Sequence, residues 1–212
     1  MLCMDFRRPL TVITPTLDGD VLAALASADA EFSGRELARR TGHGSTEGIR
    51  RAADRLVGEG VVRRRALGGA HLYRLNRDHI ATQWIEGLAT LSEQLISRLR
   101  ELIAGWREPP KLAFLFGSVA RREASTESDL DVFVVRRRAC EPDCELWRSQ
   151  LLELQQAATA LSGNDARVFE IGEESLTGEP VERVVGDVLR EGVELFGSRR
   201  ELQRLVGSRT RR

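Results

Sequence analysis

One lysine, Lys111, stands among 32 basic residues, and the 212-residue chain holds one tyrosine, three histidines and three cysteines. Cys3, Cys140 and Cys144 are too few and too scattered for a disulfide framework, which predicts a reduced, cytoplasmic setting. No apolar run approaches eighteen residues, so no transmembrane helix and no membrane partner are expected. The opening, MLCMDFRRPLTVITP, has too short an apolar stretch and too early a proline for a signal peptide. A Walker loop, a Gly-x-Gly-x-x-Gly pattern and a Ser/His/Asp order are all missing. No histidine or further cysteine pair stands near Cys140 and Cys144, so both read as structural thiols. Net charge is missing too, with 32 basic residues against 32 acidic. What is present is ordinary globular material, 42% hydrophobic and 30% charged, which excludes a disordered or fibrous chain. The length allows one or two domains with room for a core.

The zero is a cancellation. Residues 33–77 hold eleven arginines and four acids, a net +7. Residues 79–196 hold 13 basic and 21 acidic residues, a net −8, and the tail 197–212 is +5. Such a split suggests two domains with different partners.

The basic front reads as helices. Apolar residues at 17, 21, 22, 25 and 26 recur at helical spacing, with Asp18 or Asp20 available to cap the start. Ser33 with Glu36 is a capping-box pattern, and Gly42 ends that second helix. Ser45 or Thr46 caps a third, with Ile49, Ala52, Ala53, Leu56 and Val57 on one stripe. Two short strands then flank Leu67-Gly68-Gly69-Ala70, a glycine hairpin. This order resembles the winged helix-turn-helix family of DNA-binding regulators, over about residues 16–78. The resemblance implies a third helix in the major groove of double-stranded DNA, presenting Ser45, Thr46, Glu47, Arg50, Arg51 and Arg55. Arg63, Arg64, Arg65, His71 and Arg74 would lie along the wing, where arginines suit phosphates and guanine edges. The alternative is a solvated face on a protein-binding winged helix.

Residues 79–104 place apolar side chains at 80, 84, 88, 91, 95, 99 and 102, which predicts one long amphipathic connector helix with Trp84 in a core. Helix-turn-helix proteins read paired half-sites, so a homodimer is expected. Gly105 and Pro109-Pro110 mark a boundary.

The stretch KLAFLFGSVARREASTESDLDVFVV carries the chemistry. A buried strand over 112–116 ends in Gly117-Ser118. Ten residues later, Asp129-Leu130-Asp131 opens a second apolar run. Side chains at i and i+2 of a strand point the same way, so the two aspartates project together. Adjacent carboxylates repel unless a cation lies between them, and oxygen-only donors suit Mg²⁺ or Mn²⁺. Gly117 allows a close approach to phosphate, Ser118 can donate to it, and Arg121 and Arg122 could meet a triphosphate's charge.

Gly-Ser, ten residues and Asp-x-Asp resembles the minimal nucleotidyltransferase family, over about residues 110–197. The resemblance implies an α/β domain with a mixed sheet. It further implies that the Gly-Ser turn holds the phosphates of a nucleoside triphosphate, ATP first. The aspartates, with a third carboxylate from a later strand, would hold the metals of a two-metal mechanism. Glu170 on the strand 166–171 is chosen as that third group, giving Asp129, Asp131 and Glu170 as metal and catalytic residues, with Asp165 second. The closing Arg-Glu-Gly-Val-Glu-Leu-Phe-Gly also looks like that family. Where family members often carry glycine after the Ala-Arg of this loop, the chain has Arg122 and Glu123, a departure that bears on turnover.

A crossover helix is expected over 143–162 and another over 180–196. The expected divisions are a winged helix over 1–78, a connector over 79–109, a nucleotidyltransferase-like domain over 110–197 and a basic tail over 198–212. The reading that joins them is a DNA-binding transcription regulator whose second domain binds a nucleoside triphosphate and carries groups for moving its monophosphate to a hydroxyl. The alternatives are a nucleotidyltransferase antitoxin that modifies a partner toxin, and a catalytically inert nucleotide sensor.

Overall fold

The computed structural model describes residues 4–120, 128–176 and 181–207. It is an α/β protein that divides into two compact units, one formed by Arg8–Ser92 and the other by Glu93 onward together with the segment before Arg8. This division differs from the boundaries expected at 78 and 109. Met4 donates its backbone N–H to Ser162 and to the Asn164 side chain, and Phe6 is buried in the second unit's core, so the chain's start belongs there.

The first unit contains the helices α1 (Leu17–Ala26), α2 (Gly34–Thr41) and α3 (Thr46–Gly58). A short strand β1 (Phe32–Ser33) precedes α2, and a hairpin of β2 (Val62–Leu67) and β3 (Ala70–Leu75) follows α3. The strands form an antiparallel sheet in the order β1-β3-β2. Local chemistry explains the boundaries. The Ser33 hydroxyl accepts from the Glu36 N–H, and the Glu36 carboxylate accepts from the Ser33 N–H, closing the capping box. Gly42 ends α2 at φ +64°, and Ser45 caps α3 by accepting from the Gly48 N–H. Gly68 and Gly69 turn the hairpin at φ +55° and +79°. Leu37, Ile49, Ala52, Ala53 and Tyr73 fill the core. Neither Asp18 nor Asp20 caps α1, because Thr16 holds the N-cap position and both lie inside the helix; Asp18 pairs with Arg55, and buried Asp20 with Arg8 in a two-pronged pair at 2.8 Å.

Helix α4 (Thr82–Ala89) and helix α5 (Leu91–Ala104) replace the single connector helix expected over 79–104. Thr90 separates them. Its hydroxyl donates to the Glu86 and Gly87 carbonyls, and its backbone N–H closes the last turn. The break shifts the helical phase. Ile85, not Trp84, is buried with the first core, and Ile80 and Trp84 are 82% and 69% exposed. Leu95, Leu99 and Ile103 of α5 belong to the second core.

The second unit is built on a four-stranded mixed sheet, in the order β6-β5-β4-β7. Its strands are β4 (Leu112–Phe116), β5 (Leu130–Arg136), β6 (Ala166–Gly172) and β7 (Val193–Phe196). The pairs β4–β5 and β4–β7 are antiparallel, and β5–β6 is parallel. A parallel pair needs a crossover, supplied by α7 (Glu145–Ser162), and Gly163 ends that helix at φ +73°. Between the sheet's central strands, the turn after β4 is the single-turn helix α6 (Gly117–Ala120). Strand alternation sorts the faces. Ala113, Leu115, Leu130, Val132 and Val134 pack with α5 and α7. Leu112, Phe114, Phe133 and Val135 pack with α8 (Val181–Glu191) and α9 (Arg199–Gly207). Helices thus cover both faces, and the turn after β4 lies at the same end of the sheet as the head of β5. Among the described residues no helix is long and apolar enough to cross a membrane.

Candidate functional site

The turn after β4 and the head of β5 meet because the two strands are antiparallel neighbours. Phe116 pairs with Asp131, so the next residue, Gly117, lies against the Asp131 carboxylate. Gly117 has φ +75°, and a Cβ there would stand 2.8 Å from Asp131 Oδ2. Glycine is required on both counts, conformation and space. Ser118 follows in α6. Arg121 and Arg122, expected at the phosphates, lie outside the described residues.

Asp129 and Asp131 sit two residues apart where β5 begins, both partly buried, and they project to one face of the strand. Burial pushes the Asp131 carboxyl above the ordinary carboxylate range; the charge of Asp129 adds to this and that of Arg167 opposes it. The pair offers the hard oxygen donors that Mg²⁺ takes, and Mg²⁺ is commonly held by one or two carboxylates with substrate phosphates completing its shell. The two aspartates fit that group.

Glu170 does not join them. In the parallel β5–β6 register Asp131 stands beside Arg167, while Glu170 stands beside Val134, three residues farther along. Alternation then separates the faces. Phe169 packs with the α8 and α9 side and stacks on Phe133, whereas Val168 packs with the α7 side, and Glu170 shares the face of Val168. Its carboxylate accepts from Arg136 Nε at 2.9 Å. Arg136 is 6% exposed and is also held by Glu174 at 3.2 Å and by the Cys140 carbonyl. Glu170 therefore neutralises a buried guanidinium, a structural task that follows from the cost of burying an unpaired charge.

The group that does reach the aspartates is Arg167, which the sequence offered no reason to single out. Its Nη1 is 2.8 Å from Asp129 Oδ2, and its Nε is 3.7 Å from Asp165 Oδ2. Asp165, the second choice for the third carboxylate, is close to the pair, with this arginine between. Among the described residues no three His, Cys, Asp or Glu side chains gather as a metal cluster.

The residues expected at DNA lie on the surface of the first unit, Ser45 included, whose hydroxyl oxygen also accepts from the Gly48 N–H in capping α3. Thr46 and Arg50 border an open cleft of about 460 Å³ between α2, α3 and the hairpin, with Arg35, His71 and Tyr73. Burial and a hydrogen bond to Asp54 push the Tyr73 hydroxyl up to about 12. Every arginine of the expected interface carries an acidic partner: Arg50 and Arg51 share Glu47, Arg55 holds Asp18, Arg63 holds Asp78, and Arg64 holds Asp54. Arg65 holds Glu31 at 2.5 Å, and Arg74 reaches Asp29 at 3.4 Å. Residues 8–92 hold twelve arginines and ten acids, a net +2, so acids flanking the basic stretch 33–77 fold back onto it.

Residues 93–176 match the family model of the nucleotidyltransferase domain. That stretch contains the Gly117-Ser118 turn, the aspartate pair and Arg167. Among solved structures, a toxin-antitoxin complex with AMP-PNP is 18% identical over 55% of this chain and 84% of its own, with a TM-score of 0.40. A mutant of the toxin-antitoxin MntA-HpeT is 17% identical over 55% of this chain and 84% of its own, with a TM-score of 0.37. A second mutant of that complex is 19% identical, covers 56% and 86%, and has a TM-score of 0.36. No curated protein matches the chain.

Proposed function

We infer that the second unit is a metal-dependent nucleotidyltransferase that binds a nucleoside triphosphate, ATP first, and moves its monophosphate to a hydroxyl on a partner protein. The observation that carries this is the meeting of the Gly117 turn with Asp129 and Asp131, inside the stretch that matches the nucleotidyltransferase domain. Gly117 lets the backbone N–H groups of the turn approach phosphate oxygens, with the Ser118 hydroxyl as a further donor. Asp129 and Asp131 would hold the ion. A bound Mg²⁺ or Mn²⁺ supplies charge neutralisation at the phosphates and a more acidic attacking hydroxyl. The packed faces beneath the strand hold both carboxylates in place, which is the positioning that phosphoryl chemistry chiefly needs. A protein acceptor is favoured by the resemblance of the Gly-Ser/Asp-x-Asp spacing and of the 190–197 ending to minimal members that act as antitoxins on a partner toxin.

The test is label transfer from α-labelled ATP and Mg²⁺ to the product of the neighbouring gene, with an Asp129→Ala/Asp131→Ala double variant alongside. A labelled partner with the wild type and none with the variant is expected. Equal labelling by both proteins excludes this site as its source.

DNA binding by the first unit is a second reading, favoured by the exposed arginines on α3 and the hairpin. Exposed ion pairs contribute only about 0–1 kcal/mol each, so phosphates could displace Glu47, Asp18 or Glu31 at small cost. A net charge of +2 nonetheless supplies little long-range attraction. Absence of a shift of any duplex at low salt ends this reading.

A further inference from the structure

We propose that Arg167 is the built-in countercation of the Asp129–Asp131 pair, and that a divalent ion enters the pair only when this guanidinium leaves. The inference rests on the reading of the two aspartates as metal donors and adds the group that regulates their occupancy.

Three observations converge on Arg167. It stands beside Asp131 in the parallel register, on the same face of the sheet, at the place from which a neighbouring strand reaches the pair most directly. Its Nη1 is bonded to Asp129 Oδ2 at 2.8 Å, so one of the two donors is already engaged. Its Nε lies 3.7 Å from Asp165, which makes the guanidinium a bridge between two carboxylates of the same end of the sheet.

The chemistry of the arrangement is competitive. Arginine remains charged at any working pH, so it cannot relieve its repulsion of a dication by losing a proton. A metal held between Asp129 and Asp131 would sit within a few ångströms of that fixed charge. The Arg167 side chain is 64% exposed, so the guanidinium has an open route into solvent. An anionic nucleotide offers it a second destination, because guanidinium pairs with phosphate oxygens as readily as with carboxylates. Metal entry and nucleotide arrival are thereby linked: the triphosphate draws Arg167 off Asp129, and the vacated carboxylate accepts the ion. Asp165 is released at the same moment.

The experiment is a titration with Mn²⁺ alone, read by electron paramagnetic resonance of the free ion, on wild type, Arg167→Gln, Arg167→Ala and Arg167→Lys. Circular dichroism confirms folding. Loss of the charge is expected to tighten Mn²⁺ binding at least about tenfold in the Gln and Ala variants, and the Lys variant, which keeps a cation, should stay near wild type. Adding Asp129→Asn to Arg167→Gln should abolish the gain. Equal Mn²⁺ affinity in wild type and in both neutral variants overturns the proposal while leaving the aspartates standing as metal donors. A gain that survives Asp129→Asn overturns it as well, by placing the ion elsewhere. Absence of Mn²⁺ binding in all four proteins overturns both the proposal and the metal reading of the pair.

Discussion

Gly117 and Asp131 are held so close that a single methyl group on the glycine would fall 2.8 Å from the carboxylate. The turn and the head of β5 are therefore one unit of structure, joined by the Phe116–Asp131 pairing just before the turn.

Gly117→Ala tests that unit. The φ of +75° costs an alanine about 1–2 kcal/mol, and the new methyl displaces the Asp131 side chain. Chemical denaturation should show the lost stability, and Mn²⁺ titration a weaker site. Wild-type affinity in a folded Gly117→Ala protein would separate the turn from the site.

Asp131→Asn should stabilise the protein at neutral pH by ~1 kcal/mol while removing Mn²⁺ binding. Burial raises the carboxyl's folded value above its unfolded one. Such a group contributes stability below the unfolded value and loses it as pH rises through the folded value. The advantage of the asparagine must therefore shrink as pH falls toward the ordinary carboxylate range. Thermal midpoints across pH 4 to 8 (about that window, from the reference carboxylate value) check the sign.

Glu170→Gln should do the reverse. The neutral amide leaves the buried Arg136 with Glu174 as its charged partner, at a cost of about 1–3 kcal/mol. Mn²⁺ affinity should stay at the wild-type value. A lost metal site with unchanged stability would return Glu170 to the aspartate pair.

Arg50→Ala/Arg51→Ala addresses the first unit. If that face meets duplex, gel shifts should weaken similarly across sequences, and the salt dependence should fall by about one per phosphate contact removed. The double change also leaves Glu47, the shared partner of both arginines, without them, so the face loses two positive charges and keeps a carboxylate.

Much of the local structure is legible in the residues themselves. The Ser33–Glu36 capping box, the Gly42 helix end, the glycine hairpin at 68–69 and the buried strands around Gly117-Ser118 and Asp129-Leu130-Asp131 all form. Each depends on contacts within a few positions of chain, where spacing and side-chain chemistry decide the outcome. The connector was misphased because apolar spacing does not register a break as small as Thr90, whose side chain and backbone close one helix before the next begins.

Spacing along the chain thus determined the capped and glycine-bounded elements, and that a glycine turn and two aspartates would stand at strand ends, but not the break at Thr90 or the strand β7, which lies inside the helix expected over 180–196. Tertiary structure decided their company. The parallel register of β6 on β5 placed Arg167 beside the aspartates and turned Glu170 to the other face, and no local pattern encodes which residue stands beside which across a crossover. The same holds for charge. The +7 counted over residues 33–77 shrinks to +2 over the folded unit, because Asp18 meets Arg55 from 37 residues away and Glu31 meets Arg65 from 34. Coulomb attraction acts on distance in space, and only the fold sets that distance.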